Sequence, residues 1–523
     1  MNILPSFKIL ALSFIDYLIK NRLPLLFIIL LFKISVNSTN GIWVDDFWEH
    51  ASDIRAFMNS PFSPGHPQFL TTDPHVFLNP YTFIVALFGL AVGLDQITSL
   101  ALFSIINYSL FFAGLYLFIS TIDNKNKNGI CFYTVLLILL LHGDNPWQFS
   151  GFYNSEIFLS VMPLPSTFVM GLSFIGFYLN FLRLKQSRNV LLYPLLAITT
   201  FSILSHPLTT IFLFTGFLAQ ALADKRISSL ISFTFLFFLT FLLSSFWPFF
   251  SIVNLMFSGG NTYHALNINL YSNILDNIWP SLIFIPFIFN ILFEKQYRVI
   301  LFSLFILIGI YLYGYFFQRY AYGRSISFIL IIVNIFIAIL IIKKELKLKN
   351  FNRNIYLFTQ LIFIILLVIF NASWLKESTQ RALTIANSIR IGRPIFNEIT
   401  FSEYTFLKRY TGQHDLIIAD LNSSWIIPAF SGKVIATMLP APLVKDVISR
   451  TNDMVSFFDL NTSAETRCRI INVYKPKFLF LINPPETNFE SLFDQFGPNG
   501  GGHLIFKNTK FTLLEINKNY SCK

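Results

Sequence analysis

Charge is what this sequence has least of. Of its 523 residues only 12% are Asp, Glu, Lys or Arg, against roughly a quarter in soluble proteins. With 54% hydrophobic residues and 63 Phe, no soluble fold of this size would hide the apolar surface. Abundant apolar residues equally exclude intrinsic disorder, which needs low hydrophobicity and high net charge. Three cysteines are too few for a disulfide scaffold, and 23 glycines fall far below a collagen repeat. No internal repeat, low-complexity tract, dinucleotide-binding fingerprint or P-loop is present. What the chain does have is long apolar runs, and they make it a polytopic α-helical membrane protein.

The net charge of +11 would suggest nucleic acid in a soluble protein. Here the basic residues gather at Lys20/Arg22, Lys125/Lys127, Arg183/Lys185/Arg188, Lys225/Arg226, Lys295/Arg298 and from Lys343 to Arg353. Each cluster fills a short polar gap between apolar runs. Cytoplasmic loops collect Lys and Arg, so the excess is topological and no nucleic-acid partner is implied. Runs near the 20 residues of a span occur at 22–38, 97–121, 129–143, 160–182, 189–205, 207–223, 228–257, 277–293, 297–317, 323–342 and 355–371. A further run at 81–94 is short for a crossing. If it crosses fully, loop parity fails at Lys125/Lys127, so it is re-entrant or another short segment is incomplete. The expectation is 11–12 transmembrane helices over residues 1–371, N-terminus cytoplasmic and C-terminus outside. The first span reads as retained, because no small-residue cleavage site follows it.

Residues 372–523 return to soluble levels of charge. Strand-like runs at 415–420, 433–438, 476–482, 503–507 and 511–517 alternate with helix-like stretches at 398–411, 442–458, 463–474 and 486–496. This predicts a small extracytoplasmic α/β domain, with Asp420, Asn422 and Trp425 at the end of its first strand. A disulfide between Cys468 and Cys522 is permitted outside the cell, but the terminal position of Cys522 favours two unpaired thiols.

In a membrane protein the informative ionisable residues are those away from the basic loops. The first outer loop (39–80) holds Asp45, Asp46, Glu49, His50, Asp53, Arg55, His66, Asp73 and His75. Asp46 and His50, like Asp45 and Glu49, are four apart and share a helix face. Asp46, Glu49, His50 and Asp53 then form an acidic stripe, with Phe47, Trp48 and Phe57 along the membrane interface. Carboxylates crowded at a low-dielectric boundary acquire raised pKa values, which suits a general base. Five prolines between 61 and 80 impose a non-helical path that holds His66, Asp73 and His75. Those types suit a divalent metal, with Asp45 or Asp46 as further ligands; loop packing and substrate hydrogen bonds are the competing uses.

The second outer loop, 142–166, is aromatic and polar without Lys or Arg. Trp147, Phe152 and Tyr153 are of a type to stack on a sugar ring, and Asp144, Asn145, Asn154 and Glu156 to bind hydroxyls. An interfacial aromatic belt has the same composition. His206, at the outer end of its span, faces the same cavity or is a satisfied histidine in a kinked helix, and His264 lies in the third outer loop. The turn 318–325 breaks the charge rule by putting Arg319 and Arg324 outside. Guanidinium suits phosphate, Tyr320 and Tyr322 flank it, and snorkelling to headgroups is the plainer role.

The segment Trp43-Val44-Asp45-Asp46-Phe47-Trp48-Glu49-His50, directly after the first span, resembles the first outer loop of the glycosyltransferase-C (GT-C) superfamily. The run 426–442 and the stretch that follows resemble outer domains of bacterial membrane proteins of that kind. The resemblance implies a GT-C-like fold in a bacterial plasma (inner) membrane. It also implies an enzyme that takes a sugar from a polyprenyl-phosphate donor to a cell-envelope glycan, lipid or protein acceptor, with inversion. Asp46 or Asp45 would be the catalytic base, and Arg319, Arg324 and Tyr322 would hold the phosphate. Glu49, His50, His66, Asp73, His75, Asp144, Trp147, Tyr153, Glu156 and His206 would contact acceptor or sugar. The second acidic motif of some subfamilies is absent, Asp144 or Glu156 standing nearest, so metal use stays open. An O-antigen ligase or polymerase, and a lipid or polysaccharide flippase, are the alternatives.

Overall fold

The computed structural model describes residues 20–40, 43, 46–258, 266–351, 402–439, 441–483, 489–500 and 502–517, with isolated helical positions between 362 and 383. Asp45, His264, Cys522 and the expected span 355–371 lie outside the described residues. The chain packs as two compact units. One comprises Met1–Gly41, Leu102–Phe246 and Tyr263–Ile395, the other Ile42–Ala101, Trp247–Thr262 and Phe396–Lys523.

The first unit is helical. Across the described residues seven helices are long and apolar enough to cross a membrane, and the protein is a multi-pass membrane protein. The expected runs at 129–143 and 189–205 form shorter helices, Lys127–Leu140 and Leu192–Ser205. The run 277–293 is broken into Ile274–Leu282 and Ile285–Leu292. Pro280 lies inside the first piece and Pro286 opens the second, and proline removes a backbone donor and clashes with the preceding turn. The run 228–257 ends its helix at Ser244, ahead of Trp247-Pro248, and resumes as Ile252–Ser258.

The segment Tyr320–Leu348 is 78% buried and Ile227–Ser244 only 22%. The former runs through the core beside Lys127–Leu140 and Arg298–Phe316, while the latter exposes Phe235 and Phe238 as a lipid-facing helix does. Between helices, polar side chains supply the attraction that apolar packing lacks in lipid. Asn180 donates to Gln220 at 2.7 Å, and Thr199 and Thr240 hydroxyls meet at 2.6 Å. Arg22 pairs with Glu345 at 3.3 Å, and Tyr133 donates to the same carboxylate.

The second unit contains the C-terminal α/β domain. Its strands are β1 (Leu416–Ile418), β2 (Lys433–Val434), β3 (Phe478–Ile482), β4 (His503–Lys507) and β5 (Phe511–Glu515), in the order β2-β1-β3-β5-β4. β2, β1 and β3 run parallel; β5 is antiparallel to β3, and β4 to β5. All five coincide with strand-like runs in the sequence. A helix not expected, Leu421–Phe430, follows β1 and holds Pro428 inside it. Asp420 starts it by accepting the amides of Asn422 and Ser423, both at 3.0 Å, an N-cap that satisfies otherwise orphaned donors. Cys468, buried on the helix Ala464–Tyr474, is disulfide-bonded, which corrects the expectation of an unpaired thiol.

The same unit holds the helix Asp46–Asn59 and the short apolar helix Pro80–Val92. The latter begins with a capping box between Asn79 and Thr82 and ends at Gly93, φ 74°. Its 13 residues rise about 20 Å, less than the roughly 30 Å of a hydrocarbon core.

Candidate functional site

The acidic helix Asp46–Asn59 is not a surface stripe. Eleven of its fourteen residues are buried, so the expected placement of an acidic stripe and its aromatic neighbours along the membrane interface is corrected. On the aromatic side Phe47 stacks on Trp43 at 4.5 Å, Trp48 on Phe430 at 5.9 Å, and Phe57 meets Phe249 edge-on. On the acidic side the α/β domain and the proline-rich loop cover the carboxylates. Only Asp46, at the first turn, stays half-buried.

Glu49 and Asp53, one turn apart, are 1% and 0% exposed. Burial of ionised carboxylates is costly without partners, and the partners come from two segments, the proline-rich loop and the helix Leu421–Phe430. Gln68 Nε2 donates to Glu49 Oε1 at 3.1 Å, and Trp425 Nε1 to Glu49 Oε2 at 3.3 Å. His75 Nδ1 lies 3.2 Å from Asp53 Oδ1, an ion-pair distance without hydrogen-bond alignment, and its Nε2 is 3.9 Å from Glu49. Burial first, then the charges of Asp46 and Asp53, hold the Glu49 carboxyl well above the ordinary carboxylate range. Burial also raises Asp53, opposed by His75 and Lys433.

The loop 61–79 keeps His66 and His75 buried, ring centroids 4.7 Å apart. His66 Nδ1 accepts the amides of Gln68 and Phe69 at 3.2 and 3.0 Å, and burial pushes the ring pKa well down, so it is neutral. His50 is buried against the edge of Phe77. Asp73 is half-buried and accepts the amide of Lys445 at 3.3 Å. Of the expected ligands Asp45, Asp46, His66, Asp73 and His75, the two histidines come together and Asp45 lies outside the described residues; among those described, no three His, Cys, Asp or Glu side chains are disposed to hold a metal.

Gln68 and Lys433, which sequence reasoning passed over, and Arg55, to which it gave no role, complete this cluster. Gln68 bridges the loop to Glu49. Arg55 Nη2 donates to the Gly432 carbonyl at 3.0 Å. Lys433 Nζ donates to the carbonyls of His66 and Pro67 at 2.6 and 2.8 Å. A lysine opening an apolar strand reads as a solvent-facing edge, so nothing in the local pattern marks it.

The remaining expected site residues belong to the first unit. Asp144 and Glu156 are exposed, Glu156 accepting from Gln148 at 2.9 Å. Trp147 is buried and donates to the Asn269 carbonyl at 3.2 Å; Tyr153 packs on Phe111. His206 caps the helix Pro207–Asp224 by accepting the amide of Thr209 at 3.1 Å. Arg324 donates through Nε to Asn267 at 2.6 Å and through Nη1 to the Ser150 carbonyl at 2.7 Å, over the Phe149 ring. Arg319 is exposed and Tyr322 half-buried. A cavity of about 40 Å³ lies between Trp147, Tyr153, Asn277 and Asn334. It has room for a few waters and is far below the roughly 300 Å³ of a ligand pocket.

No family model matches the chain, and no curated protein matches it in sequence. Solved structures do. ArnT from Cupriavidus metallidurans in the apo state superposes with a TM-score of 0.51 at 9% identity, over 94% of this chain and 97% of that one. The Archaeoglobus fulgidus oligosaccharyltransferase in complex with Zn and sulfate gives 0.53 at 13% identity, over 93% of this chain and 72% of that one. The same enzyme tethered to an acceptor peptide containing the NVT sequon gives 0.53 at 12% identity, over 97% and 75%. These similarities run nearly the whole length of the chain. The chain thus shares the fold of these two proteins, a multi-pass helical membrane fold with a C-terminal α/β domain.

Proposed function

We propose that the protein is a membrane glycosyltransferase. It moves a sugar from a polyprenyl-phosphate donor to an acceptor hydroxyl or amide of the cell envelope, on the outer face of a bacterial plasma membrane. The similarity to ArnT and to an oligosaccharyltransferase bound to an acceptor peptide supports this class of reaction. The observation that carries it is the state of the acidic helix. Glu49 and Asp53 are sealed in, while Asp46 at its first turn keeps solvent access.

In this reading Asp46, with Asp45 as its neighbour in sequence, takes the proton from the acceptor as it attacks the anomeric carbon. The carbon–oxygen bond to the lipid phosphate breaks with inversion, and the phosphate leaves as an anion that needs no general acid. Of the two arginines, exposed Arg319 is the proposed contact for that phosphate, because Arg324 is committed to protein carbonyls. Tyr322 is proposed beside it. The buried Glu49, His50, His66 and His75 shape the helix and loop rather than touch the sugar, and Asp73, Asp144 and Glu156 are the accessible acceptor-binding candidates. No step is routed through a metal.

The test uses membranes containing the full chain and a labelled polyprenyl-phosphate sugar. Wild type should transfer label to an envelope acceptor, and Asp46→Asn should lower the rate by about 10²–10⁴-fold with donor binding retained. Undiminished transfer by both Asp46→Asn and Asp45→Asn would remove the proposed base.

A further inference from the structure

The C-terminal α/β domain does more than sit at the end of the chain. Its segment Gly432-Lys433-Val434 touches each part of the acidic framework. Gly432 offers its carbonyl to Arg55 on the acidic helix. It needs to be glycine: φ is +74°, and a Cβ there would lie 2.7 Å from Ile417 Cδ1. Val434 N donates to the Gln68 carbonyl at 2.8 Å, so the proline-rich loop adds to the free side of β2 while β1 pairs with the other.

Lys433 lies at the centre. Only 5% exposed, it gives its ammonium to two successive loop carbonyls, those of His66 and Pro67. The loop so held delivers Gln68 to Glu49 and His75 to Asp53. An ammonium in that position also supplies countercharge to Asp53. Two carboxylates one turn apart on a buried helix are tolerated only when such partners are in place.

We propose that Lys433 is a positioning residue for the acidic helix. It clamps the 66–67 backbone, fixes the loop that neutralises Glu49 and Asp53, and thereby sets the placement of Asp46. The kinetic part rests on the proposed function; the structural part does not. Burial and the nearby Arg55 bring the Lys433 pKa down to about 7 while Asp53 opposes them, consistent with a group under electrostatic load.

The experiment takes the full chain in lipid nanodiscs and compares wild type, Lys433→Met and Lys433→Arg. Transfer kinetics and amide exchange over 66–78 are both measured. Lys433→Met should lose about 10²-fold in kcat with donor KM little changed, and exchange over 66–78 should rise about tenfold. Lys433→Arg, which keeps the charge and donors, should recover much of both. Lost activity with the loop protected as in wild type would overturn the proposal. So would lost protection with unchanged kcat. If Lys433→Met does not accumulate, Lys433→Gln, which keeps a donor for one carbonyl, is expected to be intermediate in both readouts. If wild type transfers no sugar, the proposed function fails and exchange alone decides: faster exchange supports the clamp, unchanged exchange removes it.

Discussion

The indole N–H of Trp425 donates to the carboxylate of Glu49 at 3.3 Å, across 376 residues of sequence. One partner lies on the acidic helix and the other on the helix that follows the first strand of the α/β domain. Both are buried, so the bond is made away from water and its loss is felt in full.

Trp425→Phe keeps most of the ring and removes the donor. It should destabilise the unit by about 1–3 kcal/mol, the usual consequence of leaving a buried acceptor unpaired. Thermal unfolding in detergent measures it; a midpoint equal to wild type would show that the indole N–H contributes nothing.

Glu49→Gln should change how stability depends on pH. The folded pKa of Glu49 lies well above its ordinary value, so the folded state holds a proton that the unfolded state releases above about 4.3. That contribution is complete below the ordinary value and is lost as pH rises toward the raised one. Gln carries no such penalty, and the Gln68 amide, whose Oε1 is without a partner, is free to flip and accept from it. Glu49→Gln should therefore gain on wild type as pH rises from 5 to 8, and parallel curves over that range would contradict it. Asp53 is raised in the same sense and leaves a residual slope.

Arg324→Lys tests whether that arginine serves phosphate or the protein. A planar fork that reaches Asn267 and the Ser150 carbonyl together is not reproduced by an ammonium. The variant should loosen the 142–156 segment without any donor present, seen as faster proteolysis or amide exchange there. Unchanged protection together with weakened donor binding would return Arg324 to the phosphate.

Glu345→Leu should strip the partner from Arg22 and Tyr133. The pair is mostly buried, with side chains 17% and 8% exposed. Breaking it takes the carboxylate from a mostly buried cation that keeps its contacts with Tyr133 and Phe132, a loss below the about 3–5 kcal/mol of a fully buried pair. Adding Arg22→Met should recover much of that, and a double variant no more stable than the single would argue against the pair.

The membrane class, most spans and all five strands were legible in the sequence, because apolar runs and strand alternation are local patterns. The acidic segment after the first span was legible for the same reason: charge beside a span stands out where charge is scarce. Prolines 248, 280 and 286 broke two expected spans, and the helix Leu421–Phe430 escaped notice because Pro428 masks its period.

The chain by itself thus determined which residues were candidates, and tertiary structure decided which of them keep solvent access. Spacing places Asp46, Glu49 and Asp53 on neighbouring turns and says nothing of what covers them. The cover comes from Gln68, Trp425 and Lys433, brought together by packing over more than 350 residues. Burial is a property of neighbours in space, so the difference between a half-buried carboxylate at Asp46 and a sealed one at Glu49 appears only when the chain is folded.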